Sequence, residues 1–298
     1  MSLVFFIPKK DGNKQMKQDY CYLNEHMVKN NYPLPFISQL INKLKGAKMF
    51  TKMDLQWEYK NIWIKEGDKW KAVFMCYHDS FKPLVIFLGL CNSPGIFQVM
   101  MNEIFADMED ICVMYINNLM IFTKSDFKEE YNKVLLKVLH HLEENNLFIK
   151  PEKCTFHTKE VEFLGMVVGK DGVHIYDSKV KAILEWLVLK NIRGVWSFLG
   201  LANFYHWFIS SYVQVTWLLN NLMKKDMPFV WNSVQQQAFD VLKEKFITTP
   251  ILAYLNNDYK FQLECNSSNF ATGAVLSIFK EDKWYSVAYT SHSMSPEK

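Results

Sequence analysis

Residues 113–123 read VMYINNLMIFT, two apolar runs around the pair Asn117-Asn118. Alternating apolar residues about a polar pair that tolerates positive φ predict a β-hairpin with those two asparagines at its turn. A hairpin tip that gathered a catalytic metal would need a carboxylate at one or both positions. Asparagine offers only a neutral carbonyl there. A second candidate constellation is KCTFH, where Cys154 and His157 stand at a metal-like spacing. No second such pair follows, so a strand-edge packing role is expected instead of zinc. His140 and His141 are adjacent on a helix, where neighbours point different ways, and do not form a ligand pair. The cysteines at 21, 76, 91, 112, 154 and 265 are scattered, and no secretory signal is read at the start. A reduced, intracellular protein, cytoplasmic or nuclear, is therefore expected.

The elements that must position these residues are legible in outline. At 298 residues and 49% hydrophobic content the chain can bury a large core or several smaller ones. LVFFIPKKDGNKQM predicts strand, turn, strand, and YPLPFISQLINKLKGAK predicts a helix after Pro35 that ends at Gly46. Strands are expected around 48–55, near 60–64 and at 70–76, then a helix from Pro94. Over 126–145, Phe127, Tyr131, Val134, Leu135, Val138, Leu139 and Leu142 form one apolar face, with Asp126 and Glu129 resembling a capping box. EFLGMVVGKDGVHI predicts a hairpin with Asp171-Gly172 at its tip. Helices are expected over 178–188, 192–220 with a break, and 233–246, followed by three strands. No apolar run reaches membrane-spanning length, so a soluble chain without a membrane partner is expected. The net charge of +3 is weak support for a polyanionic partner, and Arg193 is the single arginine. Lysine holds phosphate as a point charge, without arginine's bidentate fork.

Read in order, FFIPKKDG, QDYCYLN, YPLPFI, GAKMFTKMDL, GLCNSPGIFQ, MYINNLMIF, KPEKC, VEFLGMVV, SFLGLANFY, PFVW and GAVL resemble the reverse transcriptase of gypsy-type long-terminal-repeat retrotransposons running into the start of its ribonuclease H domain. The resemblance covers essentially the whole chain. It implies an α+β fold of the right-hand type: fingers and palm over 1–176, a thumb-like helical region over 177–225, a connection over 226–258 and a truncated ribonuclease H-like segment over 259–298. It also implies an RNA template with a DNA primer as partner, a deoxynucleotide substrate and magnesium as cofactor.

Such a polymerase uses two divalent ions held by carboxylates. The resemblance places one acid at Asp54 and the other two at Asn117 and Asn118, so three negative charges fall to one. In the fingers, the family's arginines correspond to Gln15 and Cys21, which implies weak deoxynucleotide binding at best. Lys9 and Lys10 would meet template or triphosphate, and Tyr59 would gate against a 2′-hydroxyl, although a buried sheet aromatic is an equal reading. Gln98 would lie under the template, and Phe163, Leu164 and Gly165 would grip the primer. In the nuclease segment the first acids correspond to Asn266 and Asn269. These departures are all Asp to Asn or Arg to Gln, Cys, His (206) or Trp (207), a pattern expected of a decaying coding sequence. Polymerase and nuclease activity are both expected to be absent. A residual non-specific nucleic-acid-binding module and a fossil without function stand as the alternatives.

Overall fold

The computed structural model describes residues 2–8, 12, 14–56, 59–225, 227–268 and 270–294, and the chain divides into two compact units. The first comprises residues 1–43 and 48–158, the second residues 44–47 and 159–298.

In the first unit, β1 (Ser2–Pro8) and β2 (Lys14–Gln18) pair antiparallel, as the Asp-Gly signal predicts. Two short helices follow, α1 (Cys21–His26) and α2 (Ile37–Lys43), then β3 (Met49–Asp54). Strands β4 (Phe74–Met75) and β5 (Ser80–Phe81) extend the first sheet in the order β2-β1-β4-β5. Helix α3 (Ser93–Ile104) carries proline in its first turn, where a missing N–H costs nothing. It leads into β6 (Cys112–Tyr115) and β7 (Asn118–Thr123), then α4 (Lys128–Glu144) and β8 (Thr155–Thr158). The second sheet runs β6-β7-β3-β8. Five of the six residues of β7 are buried, which is why its sequence is an unbroken apolar run rather than an alternation. Met53, Phe97, Met101, Leu119, Ile121, Val138 and Leu142 form the centre of this unit's core. Thr51 and the Tyr131 hydroxyl, both buried, satisfy each other with a hydrogen bond between sheet and α4.

Several expectations are corrected here. Residues 60–64 form no strand; Trp63 makes a single bridge to Val85. Over 70–76 the chain is a 3-10 turn (Lys69–Ala72) followed by only two strand residues. Asp126 does not cap α4: Phe127 occupies the N-cap position, and the Asp126 carboxylate lies 2.8 Å from Lys48 Nζ. Phe127 is 68% exposed, so the apolar face of α4 begins at Tyr131.

The second unit opens with a meander, β9 (Glu160–Phe163), β10 (Met166–Gly169) and β11 (Gly172–Ile175), in place of a simple hairpin. Gly169 pairs with Gly172, so the tip is Lys170-Asp171, one residue earlier than expected. Four helices follow: α5 (Asp177–Leu184), α6 (Ile192–Phe204), α7 (Tyr212–Asn221) and α8 (Ser233–Ile247). Asn191 caps α6 and Asn232 caps α8 through their side-chain oxygens. Phe198, Tyr205, Phe239 and Phe246 fill the space among them. The last three strands, β12 (Lys260–Ser267), β13 (Ala271–Lys280) and β14 (Lys283–Ser293), form one antiparallel sheet in sequence order. Helix α7 packs on β13 and β14, whereas all eight residues of β12 are exposed. Among the described residues no helix is long and apolar enough to cross a membrane.

Candidate functional site

Strand pairing brings Asp54 to the asparagines. Asp54 at the end of β3 stands directly opposite Asn118 in β7, and the Leu55 N–H donates to the Asn117 carbonyl at 2.9 Å. Tyr115 pairs with Asn118, so the two loop residues are Ile116 and Asn117, and Asn118 is the first residue of β7. The positive φ falls on Ile116, at 53°, not on either asparagine. A β-branched residue there costs about 1–2 kcal/mol. What holds it is Gln98 on α3: its Oε1 accepts from the Ile116 N–H at 2.8 Å, and its Nε2 donates to Asn102 Oδ1 at 2.8 Å and towards the Met114 carbonyl at 3.5 Å. Asn102 in turn donates to the Tyr32 hydroxyl at 2.8 Å. The whole Gln98 side chain is 0% exposed, beneath the hairpin.

At the tip, Asn118 Nδ2 donates to Asn117 Oδ1 at 3.1 Å. Two carboxylates in those places would repel each other unless a cation lay between them. The Asp54 side chain is 14% exposed, and its nearest charges are two lysines: Lys150 Nζ at 3.4 Å from Oδ1 and Lys153 Nζ at 3.9 Å from Oδ2. Oδ1 is buried and accepts no hydrogen bond among the described residues. The Lys150 N–H donates to the Asp54 carbonyl at 2.9 Å, which ties the lysine segment to the end of β3. The two lysines are the neighbours of Asp54 that the sequence did not reveal; their signal was KPEKC, which sets one just before a single 3-10 turn (Pro151–Lys153) and the other at its end.

A pair of divalent ions does not fit this donor set. One carboxylate already faced by two ammonium groups, beside two amides bonded to each other, lacks the anionic oxygens that magnesium selects. Among the described residues no three His, Cys, Asp or Glu side chains gather as metal ligands. Cys154 donates to the Lys150 carbonyl, and His157 bonds Asn132 with its ring 4.4 Å from that of Tyr131.

The other candidates lie on other elements. Lys9, Lys10 and Asn269 lie outside the described residues, as does the side chain of Gln15, whose backbone pairs with Ile7. Cys21 is exposed, and its N–H donates to Asp19 Oδ1 at 3.0 Å, which holds the Asp19 carboxyl below its ordinary range. Tyr59 sits in a turn, 7% exposed, with its ring edge-on to Phe97, so its surroundings are those of the core. Phe163 is wholly buried, and Leu164 and Gly165 form the β9–β10 turn at positive φ. A Cβ at Gly165 would lie 2.6 Å from the Tyr205 hydroxyl, which donates to the Gly165 carbonyl at 3.2 Å. Asn266 lies on exposed β12 in the wall of a cavity of about 300 Å³ shared with Ser267, Thr272 and His292; the residues lining it include no carboxylate.

Comparison with known proteins places this geometry in context. Residues 7–168 match the family described as "Reverse transcriptase (RNA-dependent DNA polymerase)", and residues 231–298 match "RNase H-like domain found in reverse transcriptase". The Tf2-7 polyprotein of Schizosaccharomyces pombe is 37% identical over 98% of this chain, which spans 22% of that protein. The Tf2-3 polyprotein of the same yeast matches to the same extent. Among solved structures, a foamy viral protease-reverse transcriptase in complex with RNA/DNA hybrid superposes with a TM-score of 0.85 at 18% identity, over 99% of this chain and 40% of that one. A second, in complex with double-stranded DNA, gives 0.86 at 19% identity, over 99% of this chain and 52% of that one. At such identities these two show the fold.

Proposed function

This chain belongs to the reverse transcriptase family (RNA-dependent DNA polymerase), and from that premise we propose that it is a polymerase by descent whose catalytic step is lost. The family generally uses divalent metal ions. The observation that carries the reading is the Asp54 carboxylate facing Asn117 and Asn118, with Lys150 and Lys153 as its counter-charges. Placing two dications there would set them against two ammonium groups with one anion to offset them. Loss of even one group that stabilises transition-state charge costs about 10²–10³ in rate. Asn266 in place of an acid supports the same reading for the nuclease segment.

A second property, sequence-independent duplex binding, fits the same fold. The two foamy viral neighbours are described with RNA/DNA hybrid or double-stranded DNA bound. Phosphate contacts from lysines do not need the catalytic acids. Primer extension on an RNA template with magnesium or manganese tests the first proposal: no product is expected from the unmodified chain, and extension would overturn it. Asn117→Asp with Asn118→Asp should restore measurable extension if Gln15 and Cys21 still admit the triphosphate.

A further inference from the structure

The second unit holds a cavity of about 320 Å³, all of whose lining residues belong to that unit. Its walls are fixed by backbone hydrogen bonds. Val173 and Leu252 exchange N–H to carbonyl bonds at 2.9 and 2.8 Å, and the Ala253 N–H donates to the Ser286 carbonyl at 2.8 Å. Glu281 and Asp282, at φ of 50° and 59°, make the two-residue turn that closes the Lys280–Lys283 pair between β13 and β14. The cavity is therefore formed before any ligand arrives, as small-molecule sites usually are.

Charge and hydrogen bonding say what it takes. Lys45, Lys170 and Lys280 bring three positive charges and Asp171 and Glu281 two negative ones, which leaves one positive charge in excess. Lys45 donates to Asn256 Oδ1 at 2.6 Å, and Lys280 Nζ lies 3.2 Å from Glu281 Oε1. Lys170 has no ion pair among the described residues, and the hydroxyls of Tyr259 and Tyr285 have no hydrogen-bond partner among them. One ammonium and two hydroxyls thus remain as spare donors on one cavity. Tyr254 is held differently: its hydroxyl donates to the Gly169 carbonyl at 2.8 Å, which leaves its ring as wall beside Ala253 and Ile278.

We infer that this cavity binds a small aromatic monocarboxylate, with Lys170, Tyr259 and Tyr285 as donors to the carboxylate and the Tyr254 ring and Ile278 as the apolar wall. A carboxylate accepts charge-assisted bonds from an ammonium and from hydroxyls, and a planar ring packs offset or edge-on against tyrosine. The single excess charge matches one carboxylate. Asp171 and Glu281 oppose a polyanion such as a nucleic-acid backbone, because like charges brought together are costly. The inference uses neither Asp54 nor the hairpin, so it stands or falls apart from the polymerase reading.

The test is calorimetric titration of the full chain with cinnamate. Saturable binding at one site is expected, and no binding overturns the inference. Cinnamyl alcohol has the ring without the charge, and inorganic phosphate has charge without the ring. Each should bind about tenfold more weakly or worse, and equal binding of either overturns the inference. Lys170→Gln with Tyr259→Phe removes two spare donors that bond nothing in the fold, so the variant should stay folded. It should weaken cinnamate about tenfold or more, and unchanged binding by the folded variant overturns the site. Carboxycinnamate, with a second carboxylate, should bind the unmodified chain more weakly than cinnamate. Asp171→Asn with Glu281→Gln leaves three positive charges and no negative one, and should reverse that order. An order that stays the same in the folded variant removes the charge argument and the inference with it.

Discussion

Every amide group of Gln98 is engaged beneath the hairpin, and the left-handed Ile116 depends on it. Gln98→Leu leaves the Ile116 N–H without its acceptor, so a loss of about 1–3 kcal/mol is expected in urea unfolding. Gly165 is constrained differently, by its φ of 79° and by the Tyr205 hydroxyl. Gly165→Ala should cost about 1–3 kcal/mol. Adding Tyr205→Phe removes the atom that the new methyl meets, so the double variant should lose less than the sum of the two single changes. At this scale the sequence was read well where types are special and poorly where contacts are distant. The glycine and the asparagine pair were visible. The one-residue shift of the loop was not, because a buried glutamine eighteen positions upstream sets it. The place of Lys150 and Lys153 beside Asp54 was not readable, because backbone contacts distant in sequence, the Ile149–Leu55 bridge and the Lys150 N–H to Asp54 carbonyl bond, bring them there.

Elements were legible where periodicity was long. Helices α4, α6 and α8 follow their patterns because one buried face repeats over several turns, and the three closing strands form where expected although β12 buries none of its residues. The stretch 60–64 failed because NIWI, a short apolar run, reads as a strand yet is anchored by one bridge. The expected capping box failed because a tertiary ion pair with Lys48 claims Asp126. Where caps do form they should matter: Asn232 accepts from both the Val234 and Gln235 N–H groups, so Asn232→Ala should cost about 1 kcal/mol of the second unit's stability. That unit also carries an alkaline signature. Burial pushes the Tyr205 hydroxyl from 10.0 up to about 12, and pushes Tyr212 up as well. The folded state keeps protons that the unfolded state releases, so this contribution is fully present below pH 10 and is lost as pH rises through about 12. Tyrosinate absorbance followed alongside circular dichroism should show these rings ionising together with unfolding.

For the molecule as a whole, the predicted behaviour is that of a lysine-dominated surface with a net charge of only +3. Duplex binding should be weak and indifferent to sequence, and should fall steeply with salt as released counterions lose their entropic advantage. A filter-binding or anisotropy series over salt concentration checks this; affinity unchanged by salt would count against lysine–phosphate contacts. The reverse transcriptase family was readable because its motifs run in sequence along the chain. The division into two units at residues 158 and 159 was not, since the meander that opens the second unit has the same strand chemistry as the sheet before it.

The hydrogen bond at the hairpin tip runs one way, from Asn118 to Asn117. That polarity imposes an order on any mutational route to an acidic tip. Asn117→Asp alone keeps the donor and turns the contact into a charge-assisted one. Asn118→Asp alone deletes the donor and sets a carboxylate against a carbonyl oxygen. An acidic tip built one codon at a time would pass more easily through residue 117 first.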